Sequence, residues 1–383
     1  MTNKILIPIV LLVVIGALAG SLYSKIWNPS WNPFVSPDKV LSEALEKTAE
    51  LKTYSQKIEI SINCGAITRS EATGSFFASG FEGLDNISFS IKSDADVDLT
   101  LLENPKSSGD FRMDISLAGI SEEQLLSEIA PFVQEGKLTL FLEGEGKQIG
   151  KESYLKIKTI PFYPFLNMQL APLGIDLSEI KDNWLKIDPE TISALTGMKY
   201  EGLETEKTKE LQEKIKNILK EKKLFSLKSV LKSEKIDNIM CYHYLVSVNS
   251  KELKEVISKI LDEIQKEYLL GEEIPQEELE KFYQEFDKIW EKLGGIEFEI
   301  FIGKKDKFVR LISLEKEIGL EKFADGNKEM SGKANVKLSI GYSNLNQPIL
   351  ITVPREYKNL EEILEPMLMK LMELQGMQAI PTQ

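Results

Sequence analysis

The sequence predicts a mainly β protein of the α+β class, with a large antiparallel sheet preceded by an N-terminal transmembrane helix. Residues 5–23 form an apolar run without a charged side chain. Beyond Lys52 the apolar spacing changes from about 3.6, the helical period, to 2, the period of a strand. Helical spacing returns in charged segments, mainly at 201–223 and 250–293. About ten strands are expected, enough for the sheet to curl under its own twist.

The N-terminal run has the length of a membrane span. A helix over residues 5–23 would extend roughly 28 Å, close to the hydrocarbon thickness of a bilayer. We predict an uncleaved signal-anchor at 1–26, a single pass through the cell membrane, with the remaining chain on the extracytoplasmic side. The alternative is a secretory signal cleaved near Ala17-Leu18-Ala19. Residues 18–21 resemble a lipobox, but Ser21 stands where the lipidated cysteine would be.

A proline-rich linker, residues 27–37, is predicted between the anchor and the folded part. Its prolines favour an extended spacer. Ser36 suits the N-cap of a helix, and Pro37 suits the first helical position. Apolar residues from Val40 to Leu51 then follow at helical spacing, which predicts the first helix of the folded part.

Strands are predicted wherever apolar and polar residues alternate. This alternation indicates antiparallel strands with one covered face and one solvated face. Turn residues separate them, with turns predicted at Asn104-Pro105, from Gly144 to Gly150, and at Asp237-Asn238. The predicted strands lie at 58–62, 87–91, 111–117, 138–142, 154–160, 224–236, 239–248, 296–302, 308–318 and 336–342.

Five further helices are predicted, four of them inside the folded domain. Ser121 and Gln124 form a capping box. A charged helix is expected at 205–223, and a helical hairpin at 250–268 and 275–293. We assign 38–357 to one domain, with helical insertions at 201–223 and 250–293. An amphipathic C-terminal helix and tail occupy 358–383, with an apolar stripe at Leu364, Met367, Leu368, Leu371, Met372 and Leu374.

Composition excludes several function classes. The net charge is −13 without a basic block, which argues against nucleic-acid binding. His243 is the single histidine, and no phosphate-binding loop, dinucleotide fingerprint or nucleophile elbow occurs. We therefore predict no enzyme, catalytic residue, metal site or cofactor. Cys64 and Cys241 are either a disulfide or two separate thiols, since the sequence does not show whether they meet.

Five segments occur in a characteristic order along the chain. They are the first helix leading to Thr53-Tyr54-Ser55, 152–157 running to 183–188, 241–246 before a helix, 296–314, and 342–354. Together they resemble the LppX/LprG-type lipoprotein family, whose members share the half-barrel of the LolA/LolB lipoprotein carriers. The resemblance covers residues 38–357, and its most specific part is the closing segment from Tyr342 to Pro354. It implies a curved antiparallel sheet wrapped around helices with a cavity for acyl chains.

The predicted function is a membrane-anchored extracytoplasmic carrier that binds a lipid or lipoprotein. Its partners would be an apolar acyl-chain ligand, the membrane through the N-terminal helix, and an envelope protein. The alternative is a non-enzymatic structural or interaction protein with a filled core. The predicted ligand contacts lie on one face of the 275–293 helix and on the first strand. An alternative explanation for the apolar face of this helix is ordinary packing against the sheet. These contacts are Leu279, Phe282, Tyr283, Phe286, Trp290, Ile58, Ile60 and Ile62.

Overall fold

The structure is a computed structural model. It describes residues 36–65, 68–69, 85–101, 104–120, 132–171, 176–187, 210–211, 214–215, 217–218, 222–268, 276–320 and 330–363. The predicted anchor at 1–26, the capping box at Ser121 and the stripe from Leu364 onward lie outside these ranges. None of the helices in the described part combines the length and the apolarity needed to cross a membrane.

The described chain is mainly β, as the sequence predicts. Its helices are α1 Pro37–Ala49, α2 Tyr163–Leu170, α3 Ser250–Tyr268 and α4 Gln276–Leu293, with a 3-10 helix at Leu177–Glu179. Ten of the described strands have seven or more residues. The strands are β1 Thr53–Gly65, β2 Thr68–Arg69, β3 Asn86–Asp98, β4 Lys106–Ala118, β5 Val133–Gln134, β6 Lys137–Ile149, β7 Glu152–Thr159, β8 Trp184–Ile187, β9 Phe225–Ile236, β10 Ile239–Val248, β11 Glu297–Gly303, β12 Val309–Gly319, β13 Met330–Ser331, β14 Lys333–Ser343 and β15 Lys358–Asn359.

These elements fall into two compact units. Unit 1 comprises the described residues of 1–51, 62–83 and 203–343, and unit 2 those of 52–61, 84–202 and 344–383. The helices α1, α3 and α4 belong to unit 1, and α2 belongs to unit 2. The six described residues between 210 and 218 are helical, in line with the helix predicted there.

Unit 1 contains a meander of antiparallel strands in the order β14, β12, β11, β10, β9. The hairpin between β9 and β10 turns at Asp237 and Asn238, as predicted. Both residues have positive φ, 46° and 65°. Two consecutive positive φ values are typical of the type I′ turn, whose twist suits a two-residue hairpin. A separate pair, β2 with β13, also belongs to unit 1.

The first helix of unit 1 is stabilised at both ends. The Ser36 side chain accepts a hydrogen bond from the Lys39 amide at 3.3 Å, and Pro37 opens the first turn. Near the other end, the Thr48 hydroxyl accepts a hydrogen bond from the Val309 amide at 2.9 Å. Val40, on the same helix, is buried. Ser36 and Pro37 therefore determine where the helix begins, and the Thr48 hydrogen bond attaches its other end to β12.

Unit 2 contains strands in the order β1, β3, β4, β6, β7, β8, β15. The pairs from β3 to β8 are antiparallel, and β8 pairs with β15 in parallel. The turn predicted from Gly144 to Gly150 is wrong, because β6 continues to Ile149 and the chain reverses at Gly150. Glycines at Gly144 and Gly146 therefore lie inside a strand, where they shape the surface of the sheet.

The two units differ in how completely their apolar residues are buried. Nine of the ten largest fully buried side chains among the described residues belong to unit 1, and Leu185 is the one from unit 2. Tyr244, Ile300 and Ile312 are typical of the unit 1 core. The core of unit 1 is thus well shielded from solvent, whereas much of the apolar surface of unit 2 remains half-exposed.

Candidate functional site

The sheet of unit 2 carries three rows of large apolar residues on one face. Register partners on adjacent antiparallel strands project from the same face. Each row takes one residue from β3, one from β4 and one from β6. The rows are Ile87 with Leu117 and Leu138, Phe89 with Ile115 and Leu140, and Ile91 with Met113 and Leu142.

Most of these side chains are not buried. Leu138 is buried, but the other eight are half-buried or exposed, and Ile115 is 41% exposed. A contiguous apolar surface that remains accessible is a feature of interaction and ligand-binding sites in proteins. This apolar face is therefore the candidate site.

Two further rows continue the apolar face but with small residues at their centre. In one row Ser93, Phe111, Gly144 and Ile157 are register partners. In the next row Ala95, Gly109, Gly146, Leu155 and Leu185 are partners. The small residues leave a hollow between the larger side chains of Phe111 and Leu155.

The hollow has a volume of about 380 Å³. Its lining comes from five neighbouring strands of unit 2. The lining residues are Ser93, Ala95, Ser107, Gly109, Asp110, Phe111, Gly146, Lys147, Gln148, Ser153, Tyr154, Leu155 and Ile187. A volume of this size falls in the range of roughly 300–1,000 Å³ that is usual for small-molecule sites.

The three glycines of these two rows have different roles. A Cβ at Gly109 would lie 2.4 Å from the carbonyl oxygen of Asp94. One at Gly144 would lie 2.7 Å from the Phe111 ring, which covers this position. A Cβ at Gly146 would meet no atom within 4 Å. Close packing thus requires the first two glycines, whereas Gly146 leaves space open.

Apart from Asp110 and Lys147, the residues that line the hollow have neutral side chains. A last row places Val97, Ser107, Gln148, Ser153 and Ile187 at its rim. Asp110 and Lys147, which also line the hollow, occupy alternate positions whose side chains make contacts on the opposite face. Asp110 lies 2.8 Å from Lys158 Nζ, and Lys147 Nζ donates to the Thr352 carbonyl at 3.2 Å. The hollow therefore offers apolar contacts and uncharged hydrogen-bonding groups.

The opposite face of β7 and β8 is polar and covered by the chain that leads to β15. The Tyr154 hydroxyl donates to Glu152 Oε2 at 2.7 Å, and Lys186 Nζ donates to Glu152 Oε1 at 2.6 Å. The Tyr357 ring packs edge-on against Tyr154, 5.3 Å between centroids. Burial and the Glu152 carboxylate raise the pKa of Tyr154 to about 12. Hydrogen bonds from Lys186 and Tyr154 lower the pKa of Glu152.

The contacts predicted on α4 lie in unit 1. Phe286 is 2% exposed, whereas Phe282, Tyr283 and Trp290 are half-buried. Phe286 stacks on Trp290 with ring centroids 5.7 Å apart. The side chain of Leu279 lies outside the described residues.

Contacts with α3 hold one side of α4. The Tyr283 and Ser258 hydroxyls are hydrogen-bonded. Lys254 Nζ lies 2.5 Å from Asp287 Oδ2 and 5.1 Å from the centroid of the Tyr283 ring. Contacts with α3 thus account for the position of Tyr283 without a ligand.

The three isoleucines predicted on the first strand all lie in β1. Ile58 and Ile60 are half-buried and belong to unit 2, where β1 is the neighbour of β3. Ile62 is buried and belongs to unit 1. The hollow itself was missed by sequence reasoning, since the alternating glycines of β6 were assigned to a turn.

The single histidine has the surroundings of a packed side chain. His243 is 7% exposed, and its ring stacks on Phe301 with centroids 4.0 Å apart. Its Nε2 lies 3.2 Å from Glu299 Oε2, but neither ring nitrogen is aligned for a hydrogen bond with any group that the structure describes. Within the same ranges, no three or more Cys, His, Asp or Glu side chains are grouped closely enough to bind a metal.

Comparisons with solved structures find lipoproteins of the same type that the sequence resembles. The chain is similar to the Mycobacterium tuberculosis lipoprotein LppX, with 10% identity and a TM-score of 0.31, over 83% of this chain and 100% of LppX. It is also similar to LprF from Mycobacterium bovis, with 12% identity and a TM-score of 0.31, over 83% of this chain and 98% of LprF. No family model and no curated protein sequence matches the chain. At these TM-scores the neighbours indicate neither a ligand nor an activity for this chain.

Proposed function

We propose that this protein is a membrane-anchored extracytoplasmic carrier that holds a lipid acyl chain on the apolar face of unit 2. The proposal rests on the apolar face, whose rows of large side chains on β3, β4 and β6 are mostly half-exposed. The neutral hollow over Gly109 and Gly146 lies next to these rows on the same face. Without a bound ligand, this face would expose several large apolar side chains to water, which is unfavourable.

The dimensions of the face suit a long hydrocarbon chain. From Ile87 to Ala95 the strand rises eight residues, about 27 Å at the usual rise per residue. An acyl chain lying along this track would exchange water for contacts with isoleucine, leucine and phenylalanine side chains. Each methylene group buried in this way contributes about 0.8 kcal/mol. Binding would be passive, driven by transfer of the chain out of water.

The polar end of the ligand is assigned to the rim of the hollow. Ser107, Gln148 and Ser153 lie in one row near the ends of their strands and offer hydroxyl and amide groups. Their neutrality favours an uncharged polar group, such as an ester or a hydroxyl. Charged headgroups would lack a partner among these three side chains.

The remaining parts of the proposal come from the sequence. Residues 1–26 would anchor the protein in the cell membrane, and the proline-rich linker would space the carrier from the bilayer. The half-barrel, with its sheet wrapped around helices, is the architecture expected from the family resemblance. Ile58 and Ile60, on the strand next to β3 in unit 2, are proposed as additional apolar contacts. The contacts on α4 and at Ile62, which belong to unit 1, stay a prediction from the sequence. Delivery to an envelope protein would complete the transfer.

The test uses the full chain, purified in mild detergent from its own cell envelope and examined by native mass spectrometry. We expect a lipid to co-purify with the wild type and with Gly146→Ala, which leaves most of the hollow open. Gly146→Trp, which fills the hollow, should lose that lipid. A wild type without lipid, or equal lipid in Gly146→Trp, would overturn the assignment of the hollow.

A further inference from the structure

Lysine side chains gather at the tip of the β11–β12 hairpin in unit 1. The turn between these strands carries Lys304, Lys305 and Lys307. Lys47, near the end of α1, reaches the same turn, where its Nζ donates to the Asp306 carbonyl at 3.3 Å. Four lysines from two separate parts of the chain thus lie at one hairpin tip.

Tyr242 of β10 lies beneath two of these lysines. Lys307 Nζ is 4.3 Å from the centroid of the Tyr242 ring and donates to its hydroxyl oxygen at 3.1 Å. Lys304 Nζ is 5.2 Å from the same centroid. The ring face carries negative electrostatic potential, which holds the ammonium groups without neutralising them.

The positive charge of the four lysines is not cancelled by ion pairs. Among the described residues, none of them lies within ion-pair distance of a carboxylate. The carboxylate of Asp306, in the same turn, is held by the Arg310 guanidinium and accepts a hydrogen bond from the Phe308 amide. The tip is therefore locally positive, although the whole chain has a net charge of −13.

An exposed apolar residue accompanies the charge. Met240 is 43% exposed, and its carbonyl accepts a hydrogen bond from the Lys304 amide at 2.9 Å. Lysine, tyrosine and an exposed methionine at one tip form the combination that suits the boundary between headgroups and acyl chains.

We infer that this lysine tip, defined by Lys47, Lys304, Lys305, Lys307 and Tyr242, docks on the anionic lipid headgroups of a bilayer. Charge complementarity selects this partner, since four lysines that the described structure shows without ion pairs would attract anionic headgroups, although the chain as a whole is acidic. Each lysine close to an anionic membrane strengthens binding roughly five-fold. The inference goes beyond lipid carriage, because it concerns unit 1 and requires neither the hollow nor a bound ligand.

The test measures flotation of the full chain with vesicles made of phosphatidylcholine alone or of an equal mixture with phosphatidylglycerol. Binding to neutral vesicles measures the contribution of the apolar N-terminal run. The additional binding to anionic vesicles, called the anionic gain, measures the contribution of charge. We expect this gain to fall with added salt. It should fall roughly five-fold in Lys305→Gln, and much further when Lys47, Lys304, Lys305 and Lys307 are all changed to Gln.

A matched control changes four other exposed lysines, Lys92, Lys137, Lys251 and Lys288, to Gln. The net charge changes by the same amount, so the control should keep the anionic gain if the tip is responsible. Flotation on neutral vesicles should be equal for all variants. The inference is overturned if the wild type shows no anionic gain, or if the control variant loses as much of it as the tip variant. Lys305→Gln changes only one exposed side chain. Its effect on the anionic gain therefore remains informative even if the variant with four changed lysines is unstable.

Discussion

Gly109 and Gly146 are direct register partners on β4 and β6, so two adjacent strands lack side chains at the same point of the sheet. Their surroundings differ, because Gly109 is packed against the β3 backbone whereas a Cβ at Gly146 would enter empty space. This pair forms the floor of the hollow. The apolar rows lie on one side of that floor and the neutral rim lies on the other.

The two glycines predict opposite effects of the same substitution. Gly109→Ala should destabilise the protein by about 1–3 kcal/mol, because the new methyl group would overlap the Asp94 carbonyl. Gly146→Ala should leave stability unchanged or raise it by about 0.5 kcal/mol, since alanine restricts the unfolded chain more than glycine does. Urea denaturation of the two variants measures the difference. Equal destabilisation by both would contradict the space found at Gly146.

Tyr154 predicts a loss of stability at high pH. Its folded pKa of about 12 lies above its ordinary value of 10.0, so the protonated phenol is favoured by folding. The stabilisation is complete below pH 10 and is lost as the pH rises through about 12, a change on the order of 2 kcal/mol. Urea denaturation of the wild type and Tyr154→Phe at a series of pH values isolates this contribution. The stability difference between them should shrink across that interval, and a constant difference would refute the assignment.

Glu152 should act at the other end of the pH scale. Its pKa is lowered by Lys186 and Tyr154, so ionised Glu152 stabilises the fold. That stabilisation is present above the ordinary value of 4.5 and is lost as the pH falls through the folded pKa. Glu152→Gln should therefore show a weaker dependence of unfolding on pH in the acidic range. A variant with the wild-type acid dependence would show that Glu152 does not contribute.

His243 should tolerate an apolar ring. The imidazole stacks on Phe301 and its two buried nitrogens lack aligned hydrogen-bond partners in the described structure. His243→Phe should therefore keep or raise the melting temperature, because it removes two buried polar atoms and preserves the stack. His243→Ala should lose about 2 kcal/mol through the cavity it creates. A large loss of stability in His243→Phe would mean that the imidazole nitrogens are needed.

The cysteines should react as two separate thiols. Both are free, with Cys64 half-buried in β1 and Cys241 buried in β10. Burial raises the pKa of each thiol, which lowers the fraction of reactive thiolate at neutral pH. A colorimetric thiol reagent should label Cys64 slowly, at a rate that rises with pH, and Cys241 after unfolding. Finding no thiol in the denatured, unreduced protein would contradict the free state.

Much of the secondary structure could be predicted from local signals. The alternation around Phe111 and Leu140 indicates strands, Ser36 with Pro37 indicates the start of α1, and Asp237-Asn238 indicates a two-residue turn. The glycines at 144 and 146 misled the prediction, since glycine is common in turns and also serves where another group approaches the backbone closely. The Phe111 ring that covers Gly144 comes from a different strand, and no local signal shows such an approach.

Four properties follow directly from the amino-acid sequence: the mainly β class, the length of the apolar N-terminal run, the absence of known catalytic motifs and the apolar residues at alternate strand positions. Periodicity, charge and capping are properties of neighbouring residues, so they can be read along the chain. Folding establishes which apolar residues share a row, where the small residues meet to form the hollow, and which lysines lie over Tyr242. These features depend on the register between strands distant in sequence, and register is set by the packing of the whole sheet.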